Sequence, residues 1–386
     1  MRLPHLIAVV ALAAIAAAAP AHAQAVVTSA RHAVLMDYDT GEVLIDKDGN
    51  TQMAPSSMSK LMTVELVFQR LQSHSLKLTD TFHVSSNAWH AARDKDQSRM
   101  FVERDSDISV EDLLKGIIVD SGNDACVVVA EALGGSEVGF AEMMTRRAEE
   151  LGLTQSHFAN ATGMPDPAHY MSAHDLALLA AHIIRSYPEY FAYFSTPNYR
   201  WNGIDQENHN PLLAMNIGVD GMKTGYTDAG EYGLVATAMR EGRRLILVVN
   251  GLESKRVRAE EAQRLLEIGY RDFKRYELFH PDDVVAEAEV WGGAQTTLPL
   301  KVREPLSITL PVEMRDGLKI TLQYKAPIPA PIMAGQEVGA LMVTAPDKPQ
   351  KKIPVYAAAS IPTTGIIGRI IIGAEAYLAE QQARLH

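Results

Sequence analysis

The sequence predicts an α+β protein, in which sheet-forming segments stand on both sides of a helical middle and a strand-rich region follows. Hairpin patterns occur early in the chain and again after residue 219, and apolar residues recur at helical spacing between them. Beyond Tyr276, prolines separate short alternating segments. The 386 residues, 47% of them hydrophobic, suffice for one large or two ordinary domains with a substantial core.

Residues 1–23 have the pattern of a cleavable secretory signal. A basic start precedes an alanine-rich apolar stretch that ends at Ala21-His22-Ala23. The apolar stretch, residues 6–19, is shorter than the ~20 residues that a membrane span needs, which disfavours a retained anchor. We therefore expect an exported protein whose mature chain begins at Gln24.

Charge and cysteine content exclude several classes of partner. The formal net charge is -11, and no basic stripe is available to neutralise phosphates, so we expect no nucleic-acid partner. The single cysteine, Cys126, excludes an intramolecular disulfide and lies in an apolar run, which favours a buried hydrophobic role. The histidines at 74, 83 and 90 match no ligand spacing, so no metal or cofactor is expected.

A hairpin and a helix are predicted first. Residues 34–45 alternate around Asp39-Thr40-Gly41, which predicts two strands joined by a tight turn. Apolar residues from Met58 to Leu71 then recur near every 3.6 residues, which predicts a buried helix that begins at Ser57. Ser57 and Lys60 are one turn apart and should share a face.

The remaining elements follow from the same periodicities. Helices are predicted at residues 110–118, 124–133, 140–151 and 173–184, followed by a strand at 219–223, a hairpin of 234–239 with 244–249, and a helix at 259–273. We place a domain boundary near Tyr276, so that residues 24–275 form one domain and residues 276–356 a small all-β domain. Strands of the second domain are predicted at 284–291, 306–310, 319–324 and 338–343.

Residues 357–386 form a predicted tail. Between 361 and 378, isoleucines alternate with Arg369, Glu375 and glycines, a pattern too short and too polar for a membrane span. It predicts an amphipathic helix that lies at a membrane surface, with weak attraction to anionic lipid because basic residues are few.

Three short motifs carry the chemistry. Ser57-Met58-Ser59-Lys60 places a serine nucleophile one helical turn from a lysine, which acts as its base when burial or a neighbouring cation such as Lys223 lowers its pKa. Ser121-Gly122-Asn123 stands between two helices, where a turn can direct both polar side chains outward. Lys223-Thr224-Gly225 ends a strand and offers donors to a carboxylate.

Each motif alone is a weak signal, since Ser85-Ser86-Asn87 also fits the second pattern. All three in this order are jointly improbable by chance. The glycine of the third motif lets a ligand approach the backbone, and an exposed edge strand there can pair with an extended peptide.

With these motifs, and with the longer segments 55–63, 120–126 and 219–228, the chain resembles the penicillin-binding serine acyl transferases. Within that group it is most similar to the low-molecular-mass D-alanyl-D-alanine carboxypeptidases, from about Ala33 onward. The resemblance implies a β-lactamase/transpeptidase-like catalytic domain, with an antiparallel sheet flanked by helices. A β-rich domain and a C-terminal membrane-binding helix would follow.

The resemblance also implies the reaction. Ser57 would attack the penultimate D-alanine carbonyl of a peptidoglycan stem peptide ending in D-Ala-D-Ala, and water would later hydrolyse the acyl-enzyme. Lys60 would be the base, and Ser121 would relay a proton to the leaving amine. The enzyme would be periplasmic, peripheral on the outer face of the inner membrane, and acylated by β-lactams.

The implied binding residues surround the same bond. Asn123 would hold the substrate backbone, while Lys223, Thr224 and Gly225 would bind the terminal residue and maintain the field around Lys60. The N–H groups of Ser57 and Tyr226 would bind the oxyanion. Tyr226 stands where many relatives carry histidine.

Arg258 matches an arginine that relatives place near the substrate carboxylate. Arg256 is close enough in sequence to be an alternative match.

Three alternatives are weighed against the carboxypeptidase. A class A β-lactamase needs a deacylating glutamate, which residues 160–166 lack, so a bound penicillin should leave slowly. A D,D-endopeptidase shares the motifs, but usually lacks the β-rich domain and the tail. A non-catalytic peptidoglycan-binding module has no need for the full acylation set.

Overall fold

The computed structural model describes residues 26–91, 97–346 and 348–365. The predicted signal at residues 1–23 lies outside the described residues. The chain divides into two compact units, of which the first extends to Asp272 and the second begins at Phe273. Within these ranges, no helix is both long enough and apolar enough to cross a membrane.

The first unit combines helices and strands, as the sequence predicted. Its strands are β1 (His32–Asp37), β2 (Val43–Lys47), β3 (Thr81–His83), β4 (Asp107–Ser109), β5 (Asn198–Trp201), β6 (Ile204–Glu207), β7 (Val219–Thr227), β8 (Glu231–Arg240) and β9 (Arg243–Leu252). Its helices are α1 (Lys60–Gln72), α2 (Ser86–His90), α3 (Val110–Ile118), α4 (Asn123–Gly134), α5 (Glu137–Glu150), α6 (Ala173–Ser186), α7 (Pro188–Phe191) and α8 (Lys255–Asp272).

A five-stranded antiparallel sheet, in the order β2-β1-β9-β8-β7, organises this unit. Alternate residues of β9 face opposite sides of the sheet. Ile246 and Val248 join the core formed with α1 and α3 to α6, whereas Leu245 lies near Gly269 of α8. Helices therefore cover both faces, and β7 lies at one edge.

Among the described residues, the second unit consists of strands and one 3₁₀ helix, Val312–Gly317. The strands are β10 (Phe273–Phe279), β11 (Val284–Trp291), β12 (Thr297–Lys301), β13 (Leu306–Pro311), β14 (Lys319–Tyr324), β15 (Ile328–Pro329), β16 (Glu337–Thr344) and β17 (Lys351–Ala357). They form a sheet of order β14-β16-β17-β12-β11-β15 and the pair β10-β13. A separate core around Leu298, Leu300 and Val355 is consistent with an independent β-rich domain.

Several element boundaries differ from the sequence predictions, and three of them lie at the Ser57 motif or at the domain boundary. Residues Ser56–Ser59 form a 3₁₀ turn, with Met58 N–H bonded to Pro55 O, so the α-helix begins at Lys60 rather than at Ser57. Helix α8 begins at Lys255, earlier than predicted, because Ser254 Oγ accepts the N–H of Val257 and caps the helix. Phe273, assigned to that helix, begins β10.

The predicted tail helix does not begin at Ile361. Ile361 forms a β-bridge with Ile332, and Thr363 forms one with Gly293. These bridges extend the sheet pattern of the second unit to this point. The rest of the predicted helix, residues 366–378, lies outside the described residues.

An ionic cluster anchors α1 behind the Ser56–Ser59 turn. Glu65 is fully buried, and its Oε1 accepts bonds from Arg147 Nε at 2.9 Å and Tyr187 OH at 2.9 Å. His182 Nε2 lies 3.3 Å from the same oxygen. Burial alone would raise the pKa of Glu65, but the hydrogen bonds from His182, Arg147 and Tyr187 outweigh it and hold the pKa below the ordinary 4.5.

We expect Glu65→Gln to lower the free energy of unfolding by about 3 kcal/mol at neutral pH, because it removes the charge of a fully buried carboxylate that partly buried Arg147 pairs with. The lowered pKa means that ionised Glu65 stabilises the fold above pH 4.5 and that this stabilisation is lost as pH falls. The difference in unfolding free energy between the parent and the variant should therefore become smaller at acidic pH. Urea unfolding at a series of pH values measures both effects.

Glu150→Gln is the matched control, because exposed Glu150 binds the same Arg147 at 2.8 Å. Surface pairs contribute about 0–1 kcal/mol. Equal losses for the two variants would contradict a special role of the buried carboxylate.

Candidate active site

The amine of Lys60 is the centre of the site. Its Nζ lies 2.8 Å from Ser57 Oγ, 2.7 Å from Asn123 Oδ1 and 2.6 Å from Thr162 O. The lysine is fully buried. Residues predicted from two separate motifs, together with one backbone carbonyl, therefore meet at a single nitrogen.

The chemistry of these three contacts is not equivalent. The oxygens of Asn123 and Thr162 can only accept, so each takes an N–H of the lysine. A neutral amine has two N–H groups and one lone pair, and with both N–H groups engaged the lone pair faces the Ser57 hydroxyl. The arrangement is suited to removing the hydroxyl proton of Ser57.

Burial favours the neutral amine. It lowers the pKa of Lys60 from 10.5 to about 8, opposed by the charge of Asp124. Burial, followed by the charge of Lys60, holds the pKa of Lys223 well below its usual value. Two buried ammonium ions repel each other, so a proton on either lysine disfavours a proton on the other, and Lys60 and Lys223 titrate as a coupled pair.

Asn123 reaches Lys60 because the start of α4 is firmly held. Asp124 accepts the backbone N–H groups of Met100, Phe101 and Val102 at 2.8, 2.9 and 3.1 Å. Asn123 Nδ2 donates to Gln97 Oε1 at 3.1 Å. The side-chain oxygen of Asn123 is thereby oriented toward the lysine.

Residues 160–166 form the loop that covers Lys60. Asn160 Oδ1 accepts the N–H groups of Thr162, Gly163 and Met164, which folds the loop around one side chain. Gly163 has φ +82, and a Cβ there would lie 2.1 Å from Ser56 O. Only glycine permits this approach, which presents Thr162 O to the lysine.

The glycine of Lys223-Thr224-Gly225 has a related use. A Cβ on Gly225 would lie 2.9 Å from Pro55 O and 3.1 Å from Met58 Cγ. The sequence suggested that this glycine admits a ligand, but the group that approaches it most closely is the turn that carries Ser57. Strand β7 and the turn that carries Ser57 are thus in direct contact.

Ser121 occupies a strained position. It has φ +57, whereas the next residue, Gly122, has φ -56. Left-handed backbone costs a non-glycine residue about 1–2 kcal/mol and is enriched at functional sites. Among the described residues its hydroxyl has no hydrogen bond, and it lines the pocket beside Ser57.

These residues surround a pocket of about 760 Å³. It is lined by Ser57, Gln97, Ser98, Ser121, Asn123, Gly163, Met164, Pro165, His209, Thr224, Gly225, Tyr226, Thr227, Asp228, Tyr232, Lys255 and Arg258. Seven of the nine residues singled out in the sequence are in this lining. Lys60 and Lys223 lie beneath its surface, where both are buried.

The structure distinguishes the two candidate arginines. Arg258 lines the pocket, is buried, and its Nε has no partner among the described atoms. Burial lowers its pKa to about 10. Arg256 is exposed and paired with Glu260 at 2.7 Å, so it is outside the site.

Tyr226 is half exposed, with its ring 4.3 Å from that of Tyr232 and its hydroxyl bonded to Asp228. Cys126 is fully buried, which raises its pKa to about 12 and confirms a hydrophobic role rather than that of a nucleophile.

Sequence analysis missed several pocket residues. Gln97, His209 and Lys255 come from loops and a helix start that carry no motif. Thr162 contributes a backbone carbonyl, for which residue type gives no signal. The Ser254 cap was the one available indication that α8 reaches Lys255.

Comparison with protein families identifies the chain. A family model described as D-alanyl-D-alanine carboxypeptidase matches residues 17–254. The chain belongs to this family. A second model, described as the C-terminal domain of penicillin-binding protein 5, matches residues 273–363 of the carboxypeptidase.

Individual relatives agree with this assignment. The carboxypeptidase is 36% identical over 344 residues to D-alanyl-D-alanine carboxypeptidase DacD of Escherichia coli (strain K12), covering 87% of this chain and 88% of that one. Penicillin binding protein 5 from Haemophilus influenzae has a TM-score of 0.77 at 32% identity, covering 86% and 97%. Penicillin-Binding Protein D2 from Listeria monocytogenes, in its ampicillin-bound form, has a TM-score of 0.57 at 28% identity, covering 64% and 99%.

These findings confirm the predicted family, its α+β penicillin-binding fold and a serine-type carboxypeptidase activity. The curated relative and the carboxypeptidase cover most of each other's length, so the likeness extends over both structural units.

We expect Gly163→Ala to slow acylation by a fluorescent penicillin at least about tenfold, because the added Cβ displaces the loop from Ser56 and carries Thr162 O away from Lys60. Gly152→Ala is the control, since Gly152 shares a positive φ of 73 but has open space around it. The rate at which each variant becomes labelled, followed as the fluorescence of its gel band, measures the acylation rate of both variants. Parent-like labelling of the Gly163 variant would show that the close contact is dispensable.

Proposed function

We propose that this carboxypeptidase removes the terminal D-alanine of peptidoglycan stem pentapeptides through an acyl-enzyme on Ser57. The observation that carries the proposal is the 2.8 Å distance from Lys60 Nζ to Ser57 Oγ, together with two carbonyl oxygens that can accept both N–H groups of the neutral amine. A base within hydrogen-bond distance of its nucleophile is the minimum geometry for acyl transfer.

In acylation, Ser57 Oγ attacks the penultimate D-alanine carbonyl while Lys60 accepts the hydroxyl proton. The N–H groups of Ser57 and Tyr226 stabilise the developing oxyanion. Ser121 relays the proton that Lys60 has accepted to the leaving D-alanine amine, which returns Lys60 to its neutral form, and the unpaired Ser121 hydroxyl on the pocket wall supports this role. Water then hydrolyses the ester, with Lys60 as the base.

The terminal carboxylate of the substrate binds at Arg258 and Thr224, with Lys223 beneath them. Arg258 supports this assignment because its buried Nε lacks a partner, and a buried unpaired donor is costly until an anion arrives. Asn123 holds the substrate backbone. Gly225 lets β7 pack against the turn that carries Ser57. The same strand therefore positions both the scissile bond at Ser57 and the terminal carboxylate of the substrate.

The substrate backbone lies along β7. This strand is at the sheet edge, and Thr224 to Thr227 line the pocket. Closer to its start, Asn210 Nδ2 donates to Gly221 O and covers the edge. The open stretch therefore accepts an extended peptide in strand addition.

β-Lactams should acylate Ser57 and leave slowly. The Listeria relative has been obtained with ampicillin bound, which supports β-lactam binding in this family. In the described part of the pocket wall the carboxylate present is that of Asp228, and the loop over Lys60 supplies a backbone carbonyl instead of a glutamate. This disfavours the β-lactamase alternative.

We place the mature enzyme in the periplasm, peripheral on the inner membrane through residues 357–386. The amphipathic sequence pattern after residue 361 supports this location.

The mature protein should sediment with phosphatidylglycerol-containing vesicles, and a variant truncated after residue 365 should stay in the supernatant. Equal sedimentation of both forms would refute the tail as the anchor.

The mature protein should release D-alanine from a stem pentapeptide, and Ser57→Ala should release none. Lys60→Ala should retain less than about 1% of the parental rate, since a general base contributes about 100- to 10,000-fold. Ser59→Ala, in the same turn, is the control and should remain active. Cleavage of cross-linked muropeptide dimers without D-alanine release would instead establish an endopeptidase.

Arg258→Gln should raise KM for the pentapeptide about 10- to 100-fold, because a charge-assisted hydrogen bond contributes about 1.5–3 kcal/mol. Arg256→Gln, on the exposed side of α8, should leave KM unchanged. A pentapeptide with a C-terminal amide should bind the parent and the Arg258 variant alike. A similar loss on both substrates would rule out carboxylate recognition by Arg258.

A further inference from the structure

A buried histidine links the two ends of the loop that covers Lys60. The ring belongs to His169, which follows the loop, and the residue is 4% exposed. Its Nδ1 accepts the backbone N–H of Ala159, which precedes the loop, at 3.2 Å. The backbone N–H of His169 donates to Asp166 O, within the loop, at 2.9 Å. One residue therefore holds both sides of the loop base.

A backbone pair lies outside this link. His157 and Tyr170 each donate their N–H to the carbonyl of the other, at 2.9 and 3.0 Å. Between that pair and the loop, the acceptor for the Ala159 N–H is the imidazole of His169 instead of a carbonyl. The closure of the loop base thus depends on a side chain at this point.

The segment that starts at Ala159 leads directly to the base. Asn160 Oδ1 accepts the N–H of Thr162 at 3.1 Å, and Ala161 O accepts a hydroxyl from α1 at 2.8 Å. Thr162 O then accepts the N–H of Lys60 at 2.6 Å. Because each residue of this short segment is held by a hydrogen bond, a displacement of Ala159 also moves the carbonyl that contacts the amine.

The bond to Ala159 determines the state of the ring. A nitrogen that accepts an N–H carries no proton, so the neutral ring of His169 has its hydrogen on Nε2. Protonation would place a second N–H on Nδ1, opposite the N–H of Ala159, and would break the hydrogen bond. A charged ring and a closed loop base therefore exclude each other.

The surroundings of the ring favour its neutral form. Burial lowers the pKa of His169 to about 4, and it outweighs Asp166 of the loop, which acts in the opposite direction. Lys60 from α1 and the neighbouring His157 also oppose a charged ring. Nε2 is buried and has no hydrogen-bond partner among the described atoms. The ring is therefore an acceptor at every pH at which Lys60, with a pKa of about 8, becomes neutral.

We propose that His169 is a positioning residue for Lys60, because its Nδ1 holds the Ala159 end of the loop and the closed loop keeps Thr162 O on the amine and water away from it. The imidazole acts through the loop and not on the substrate. An open loop would hydrate Lys60, favour its ammonium form and raise its pKa towards 10.5. This inference rests on the proposed role of Lys60 as the base.

The test is the pH dependence of acylation by a fluorescent penicillin, from about pH 6 to about pH 10. The neutral amine is the form that accepts a proton, so the rate has an acid limb that follows the pKa of Lys60. His169→Phe keeps a ring beside Phe158 but removes the acceptor. Its acid limb should move to higher pH by about one unit, which slows acylation about tenfold at a fixed pH on the limb.

His169→Asn is the matched rescue, because an asparagine Oδ1 can take the place of Nδ1 and accept the Ala159 N–H. It should restore the parental limb. His174→Phe makes the same change at a partly exposed position of α6 and should leave the limb in place. A variant that is only less stable would lower the labelled fraction without moving the limb.

A parental limb in His169→Phe, or a shifted limb in His169→Asn, would overturn the inference. Neither result bears on the nucleophile, which the Ser57→Ala experiment tests separately.

A measurement on the parent enzyme remains decisive if the variants do not fold. Nitrogen-15 spectra of histidine-labelled protein, with the His169 ring assigned through its backbone, should show hydrogen on Nε2 and none on Nδ1 down to about pH 5. Hydrogen on Nδ1, or a His169 ring that becomes charged near the ordinary histidine pKa of about 6.5, would overturn the inference.

Discussion

The structure depends on a lysine that is buried where it can be neutral. Lys60 loses the hydration that normally stabilises its ammonium form, and its remaining partners are two carbonyl oxygens and one hydroxyl. Burial determines the basicity of the amine. Because the two carbonyl oxygens accept both N–H groups of its neutral form, they also determine the direction of its lone pair. Three chain segments distant in sequence must converge on one atom for this to hold.

Close backbone contacts bring those segments together. Gly163 lets the covering loop approach Ser56, and Gly225 lets β7 approach Pro55 on the neighbouring side. The Ser56–Ser59 turn is thus confined between a loop and a strand, while the cluster around Glu65 holds α1, the helix that follows it. The position of Ser57 is determined by packing on several sides, as precise chemistry requires.

Elements with their own local signals could be predicted from sequence. The β1-β2 and β8-β9 hairpins have clear turns, and α3 coincides with its apolar period. The three motifs identified most of the residues that meet at Lys60 or line the pocket beside it. The start of α1 was wrong by one turn because the 3₁₀ bond of Pro55 depends on tertiary contacts, which periodicity does not encode. The contact of Thr162 O with Lys60 could not be predicted for the same reason.

The open edge of β7 has a cost outside catalysis. An unpaired strand edge is a template for another chain, and proteins usually block it with charge, proline or a covering segment. Asn210 covers one end, but the proposed pairing of the substrate with β7 requires the stretch beside the pocket to remain open. Self-association of the concentrated enzyme would begin there, and any ligand that occupies the groove would also act as a solubilising agent.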